Sequence, residues 1–216
     1  MATSPGIATP DRQKHWEDVY TDLAFGQASW HQAEPATSLA LLDEPAADRA
    51  RAVIDVGGGD SRLVDRLVDR GFTDVTVLDV SQAALDRARR RLPPAAPVRW
   101  VQADVLHWQP HRHYQVWHDR ATFHFLVNDA DRDRYLDLVH EAVTAGGLVV
   151  LGTFAADGPQ QCSGLPIRRY DTHGLAALLG PDFSTISTRT EVHRTPQGAA
   201  QPFTWLASRR STSART

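Results

Sequence analysis

The chain has 216 residues, with 23 Lys and Arg against 26 Asp and Glu and a formal net charge of −3; that length allows one domain with a sizeable core. The slightly acidic balance gives no bulk attraction to nucleic acid or anionic membranes, and no apolar run approaches the ~18 residues of a membrane span. A lone Cys162 excludes an internal disulfide and suits a reducing compartment. The first residues lack the apolar core of a secretory signal, so the cytoplasm is the expected location.

Residues 1–10 are small and polar, and a disordered tail is expected there. From Asp11 onward, Trp16, Val19, Tyr20 and Leu23 are spaced as the apolar stripe of a helix. Trp16 and Tyr20 read as packing residues of that stripe. Trp30 and His31 stand in a loop ahead of Pro35, open to contact with a ligand. A short helix over 37–42 and a polar linker over 44–51 lead into the first strand.

Residues 51–79 carry the strongest pattern in the chain. An apolar run over 52–56, interrupted by Asp55, meets Gly57, Gly58 and Gly59. Leu63, Val64, Leu67 and Val68 then mark one helix face, Gly71 stops that helix, and a second apolar run over 75–78 ends on Asp79. Strand, glycine turn, helix and strand make a βαβ unit. Glycines let backbone N–H groups approach a ligand where a Cβ would collide. An acid at the tip of the second strand suits a pair of ribose hydroxyls, so the pattern predicts a nucleoside. A dinucleotide does not fit. G-x-G-x-x-G begun at Gly57 would need glycine where Arg62 stands, and begun at Gly58 it meets Asp60. Asp60 and Asp65 would also repel a pyrophosphate at the helix start.

Ser81 is placed to cap a helix that turns Ala84, Leu85, Ala88 and Leu92 inward and stops before Pro93. A third strand over 98–101 leads to Asp104 and Val105, and a fourth over 115–118 delivers Asp119, Arg120, Phe123 and His124. Ligands of open α/β sheets bind beyond the C-terminal strand ends, so His118, Asp119, Arg120 and His124 fall where chemistry is expected. Asn128 or Asp129 starts a long helix that buries Tyr135, Leu136, Val139 and Val143; Gly146 and Gly147 end it, and the fifth strand covers 148–154. The loop over 155–170 is long and carries Arg168 and Arg169, which suit either a bound carboxylate or a surface ion pair. A helix over 172–179 and two strands over 184–192 and 203–207, joined by a turn at 196–198, close the fold. Residues 209–216 are expected to fray.

The D-x-G-x-G run at Asp55, Gly57 and Gly59 resembles motif I of the class I, seven-stranded S-adenosylmethionine (AdoMet)-dependent methyltransferases, with Ser61 at the loop's third small position. The likeness covers most of residues 52–154. It implies a Rossmann-like, doubly wound α/β fold: a mostly parallel seven-stranded sheet, helices on both faces and a C-terminal β-hairpin. One domain over 11–208 is implied, with the helices of 11–50 as a lid. AdoMet is the implied cofactor and S-adenosylhomocysteine (AdoHcy) the product. By the same resemblance Asp55, Gly57, Gly58 and Gly59 serve the methionine part, Asp79 with Val80 the ribose, and Asp104 with Val105 the adenine. The pair Asp119 and Arg120 is similar to the one ending strand four in thiopurine-type and related methyltransferases, and joins the cofactor set.

Methyl transfer asks for alignment and exclusion of water, and for a base only where the acceptor is protonated. His31, His118 and His124 are the candidate bases, each able to titrate near neutrality. The expected acceptor pocket is walled by Trp30 or His31, by residues 118–124 with Phe123, and by part of 158–169 with Arg168 and Arg169. A small organic acceptor is expected first and a protein lysine second; a non-catalytic AdoMet-binding module is the alternative from another class. Amino methyltransferases acting on adenine bases carry an Asn/Asp-Pro-Pro-aromatic motif where this chain has His118, Asp119, Arg120 and Ala121, which argues against a nucleic-acid acceptor. No metal is expected, because His107, His111 and His113 lie in a polar connector without Cys or clustered acids. Cys162 has no sequence neighbour that would activate it.

Overall fold

The computed structural model describes residues 9–22, 26–42 and 48–212. The elements in chain order are α1 (Thr9–Asp22), α2 (Ala36–Leu42), β1 (Val53–Val56), α3 (Leu63–Asp69), β2 (Val75–Asp79), α4 (Gln82–Arg89), β3 (Val98–Gln102) and β4 (Tyr114–Arg120). A 3-10 turn (Phe123–Phe125) follows, then α5 (Asp129–Ala142), β5 (Val143–Phe154), β6 (Gln161–Cys162), β7 (Leu165–Pro166), α6 (Thr172–Leu178), β8 (Phe183–Arg194) and β9 (Ala200–Arg210).

Seven strands make one sheet in the order β3-β2-β1-β4-β5-β9-β8, parallel from β3 through β5 and antiparallel at β9 and β8. The winding reverses between β1 and β4, which opens a crevice at their C-terminal ends. This is the doubly wound fold with a closing hairpin that the sequence predicts.

Alternation along the strands divides the molecule into two cores. Val53 packs with residues of α2, α3 and α4, whereas Ile54 and Val56 pack with residues of α5 and α6. Val116 and Trp117 of β4 divide in the same way. Both faces being covered, every residue of β1 and β2 is buried. The two-residue period also sorts the polar side chains. His118 reaches Ser38 of α2, while its neighbour Asp119 reaches Tyr135 of α5.

Three expectations are corrected. α5 ends at Ala142, and Val143 is already extended (φ −87°, ψ 130°), so Val143 opens β5 instead of closing the helix. A β-branched residue favours that conformation. Gly146 (φ +75°) belongs to the irregularity at which the β5 partners of β4 pass from Val143 to Leu148. The chain end at 209–210 does not fray: Arg209 pairs with Leu148 and donates to Gly146 O at 3.0 Å, and Arg210 reaches the carbonyls of His140 and Val143. The loop over 155–170 folds into the β6–β7 ribbon. Of the expected tails, residues 1–8 and 213–216 lie outside the described residues, while Thr9 and Pro10 belong to α1. Among the described residues no helix is long and apolar enough to cross a membrane.

Candidate active site

The turn after β1 lies at the crevice. Gly57 (φ +64°) and Gly59 (φ +50°) take left-handed backbone. A Cβ on Gly57 would fall 1.7 Å from Thr122 Oγ1, and one on Gly58 would fall 2.7 Å from both Asp55 Oδ2 and Val77 Cγ1. Sterics alone therefore demand glycine here. The Thr122 hydroxyl donates to Val56 O at 3.2 Å and joins the end of β4 to the end of β1.

A cavity opens over this edge of the sheet. Gly57, Asp79 and Asp104 line it from the strand ends, with Val80 and Val105 beside the acids, and Trp16 and Tyr20 of α1 roof it. Asp79 is only 6% exposed, and its Oδ1 accepts the Ser81 N–H at 2.8 Å. Burial pushes its carboxyl up to about 7, opposed by N–H donation from Ser81 and Gly59. Asp104 Oδ1 accepts the Leu106 N–H at 2.9 Å, and its Oδ2 meets Arg12 Nη1 of α1 at 3.3 Å. Glu17 fastens α1 over the site, accepting from Ser81 Oγ at 2.7 Å and from the Ala83 N–H at 3.2 Å. Tyr20 leans over Gly59 so closely that a Cβ there would sit 2.4 Å from its hydroxyl. Burial, then the charges of Asp79 and Asp60, push the Tyr20 phenol well up. Bare backbone, an aromatic roof and acids at the tips of two strands suit a nucleoside carrying an amino-acid tail.

A second cavity shares Gly57, Tyr20, Trp30 and Arg120 with the first and adds Gly58, His31, Ser38, Asp55 and His118. Asp55 and His118 are register partners on β1 and β4. His118 Nδ1 lies 2.7 Å from Asp55 Oδ1, and its Nε2 lies 2.9 Å from Ser38 Oγ. His31 is held below the usual imidazole range by burial, with Asp60 opposing. Arg120 donates from Nη1 to Trp30 O at 3.0 Å and lies over the Phe203 ring at 4.8 Å. Burial lowers its guanidinium to about 10.

Five residues expected at the site sit elsewhere. Asp119 is fully buried beneath the crevice, accepting from the N–H groups of Thr122 (2.8 Å) and Phe123 (3.0 Å) and from the Tyr135 hydroxyl (2.5 Å). It braces the turn and lines neither cavity. Phe123 packs in the core against Tyr135 and Tyr170. His124 is fully buried against Phe125 and Phe154, and burial followed by the Arg120 charge pushes its imidazole down to about 3. Arg168 pairs with Asp129 at 3.4 Å, and Arg169 donates to Gly158 O at 3.0 Å. Sequence reading missed Ser38 and Thr122, and it took Trp16 and Tyr20 for packing. Arg12, Trp16 and Tyr20 recur every four residues on the cavity face of α1, a signal that a core stripe would give equally. Among the described residues no group of three or more His, Cys, Asp or Glu is gathered to hold a metal ion.

The fold is a doubly wound α/β domain of the Rossmann-like class, and its crevice suits a nucleoside. Residues 53–147 match a family model described as a methyltransferase domain. A curated relative, an uncharacterized methyltransferase of Mycobacterium tuberculosis, is 33% identical over 116 residues, which are 53% of this chain and 56% of that protein. The match thus spans little more than half the length of that relative. A SAM-dependent methyltransferase from Anabaena variabilis shares the fold with a TM-score of 0.74 at 17% identity, over 97% of this chain and 99% of that one. The 1,6-didemethyltoxoflavin-N1-methyltransferase of Burkholderia thailandensis, solved with 1,6-didemethyltoxoflavin and S-adenosylhomocysteine bound, does so at 0.68 and 19%, over 97% and 93%. Residues 53–147 are thus similar to a methyltransferase domain, and the chain shares its fold with SAM-dependent methyltransferases of known structure.

Proposed function

We propose that the chain transfers a methyl group from AdoMet to a small organic acceptor. The observation that carries this is the glycine turn, its backbone bare beneath the α1 aromatics, with Asp79 and Asp104 at the tips of β2 and β3. AdoMet supplies a methyl already activated on a sulfonium. The chain's work is to bind, orient and exclude water. Gly57, Gly58 and Gly59 receive the amino-acid part, Asp79 accepts from the ribose hydroxyls, and Asp104 accepts from the adenine amino group. Trp16 and Tyr20 close over the nucleoside from α1, which acts as a lid.

The acceptor takes the part of the second cavity beside Trp30, His31 and Arg120, next to the glycine turn that receives the cofactor's amino-acid part. Its confinement under the loop at 30–32 suits a small molecule better than a side chain on a protein surface. The likeness to a methyltransferase solved with 1,6-didemethyltoxoflavin bound supports the same choice. Where the acceptor is protonated, His118 is the base: Asp55 holds a proton on Nδ1, which leaves Nε2 to accept through the Ser38 hydroxyl. Calorimetric titration with AdoMet, AdoHcy and NAD tests the cofactor, with binding of the first two alone expected; heat from NAD only would sink the reading. AdoMet carrying a radiolabelled methyl, incubated with chain and cell lysate, tests the acceptor. Label is expected in the small-molecule fraction, and label confined to protein would move the acceptor to a protein side chain.

A further inference from the structure

We infer that Arg120 is the receptor for a carboxylate on the methyl acceptor, which makes that acceptor a small organic acid. The inference rests on the second cavity being the acceptor site. Arg120 ends β4 and lines both cavities. Its Nη1 is used by Trp30 O, but Nε and Nη2 have no hydrogen-bond partner and are closed to solvent. These two nitrogens form one edge of the guanidinium, with parallel N–H bonds spaced to meet the two oxygens of a carboxylate. The pair left open is therefore the pair that recognises an acid.

Among the described residues no carboxylate fills the fork. Glu191, the first of the anions that Arg120 feels, is committed elsewhere: Oε2 accepts from Trp205 Nε1 at 2.8 Å and Oε1 from Gln32 Nε2 at 3.0 Å. Asp55 is committed to His118 at 2.7 Å. A buried cation without a carboxylate is strongly unfavourable, and the Phe203 face under it offsets that only in part. An entering anion removes the deficit. Position assigns that anion to the acceptor. Asp79 and Asp104 lie at β2 and β3, whereas Arg120 neighbours Phe203 of β9 and Glu191 of β8, across β4 from them. The contacts from Arg120 to Trp30 and from Glu191 to Gln32 fasten the loop at 30–32 over the fork, so the acid enters as that cover shifts.

The test uses the full chain saturated with AdoHcy and titrated with benzoate, 2-naphthoate and their uncharged amides. Each acid is expected to bind about tenfold or more tighter than its amide, the scale of a charge-assisted hydrogen bond. Arg120→Met should erase that preference and Arg120→Lys should keep part of it. Equal binding of acid and amide, or no binding of either acid, overturns the inference. So does a fall in AdoHcy affinity in Arg120→Met with 5′-methylthioadenosine affinity unchanged, which would put the fork on the cofactor's own carboxylate. Failure of AdoHcy to bind the native chain would strike the methyltransferase reading instead, so the two failures are distinct. Circular dichroism checks the variants, and if Arg120→Met does not fold, the acid-to-amide comparison on the native chain decides.

Discussion

At the tip of β2, Asp79 is a carboxylate held away from water, its pKa pushed up to about 7 by burial. In an unfolded chain an Asp titrates near ~3.9, so between about 4 and 7 the folded chain keeps a proton that the unfolded chain has lost. The contribution of this group to stability therefore falls as pH rises through that window. Asp119, raised to about 6 first by burial, acts in the same direction over the lower part of it. In the proposed complex the ribose hydroxyls donate to the ionised form of Asp79, so AdoHcy affinity should climb as pH passes through about 7 and then level off. Calorimetry across that range reads the slope, and Asp79→Asn should flatten it while weakening binding by about 1.5–3 kcal/mol. A flat profile in the native chain would remove Asp79 from the ligand. Asp119 carries a different expectation. Asp119→Ala strips the Tyr135 hydroxyl and two N–H groups of their acceptor, at a cost of about 2–4 kcal/mol in urea unfolding; a loss under ~0.5 kcal/mol would mean water replaces it. Its place at the end of strand four was legible in the sequence, although the strand runs through it to Arg120. Its service to α5 was not, because nothing local tells which face of β4 meets Tyr135.

α1 shows the same division one level up. Its helical spacing is plain in Trp16, Val19 and Tyr20, yet a stripe spaced for packing and a stripe spaced to roof a ligand are identical in sequence. Only the long-range contact of α1 with α4 separates them, and Glu17 makes it by accepting from Ser81 Oγ and the Ala83 N–H. That carboxylate sits at the start of α4, where the helix dipole favours an anion. Glu17→Ala should cost about 0.5–2 kcal/mol, as loss of a helix cap does, and concentrate its effect on α1. Amide exchange in α1 should quicken and AdoHcy should dissociate faster, with equilibrium unfolding moved far less. Unchanged exchange would show that the aromatic contacts of Trp16 with Trp30 and Phe125 hold the helix by themselves. The junction of α5 and β5 was misread for a related reason. A glycine pair is the usual helix stop, but the β-branched Val143 and the reach of Arg209 and Arg210 from the last strand end the helix earlier.

Across the whole molecule, the apolar runs and the glycine turn were enough to set the class of fold, because βαβ winding leaves few sheet orders open. What the runs do not carry is the pairing of β4 with β1, which sets His118 opposite Asp55 and sends His124 into the core. The cavity gathers α1 with the ends of β1, β2, β3 and β4, so a ligand there binds elements that are remote in sequence and present together only in the folded chain. Binding should then appear as global stability. AdoHcy at about a hundred times its Kd adds about 2.7 kcal/mol. For a chain of this length about 2–4 °C of Tm accompany each kcal/mol, so a rise of about 5–11 °C is expected in a thermal melt. NAD at the same concentration should give none. Gly57→Ala forces a Cβ to within 1.7 Å of Thr122 Oγ1 and should lower the melting point of the free chain and abolish the AdoHcy shift together. Loss of the shift with an unaltered free-chain Tm would mean that the turn contacts the ligand without bearing on the fold. A full shift in that variant would place the ligand away from the glycine turn altogether.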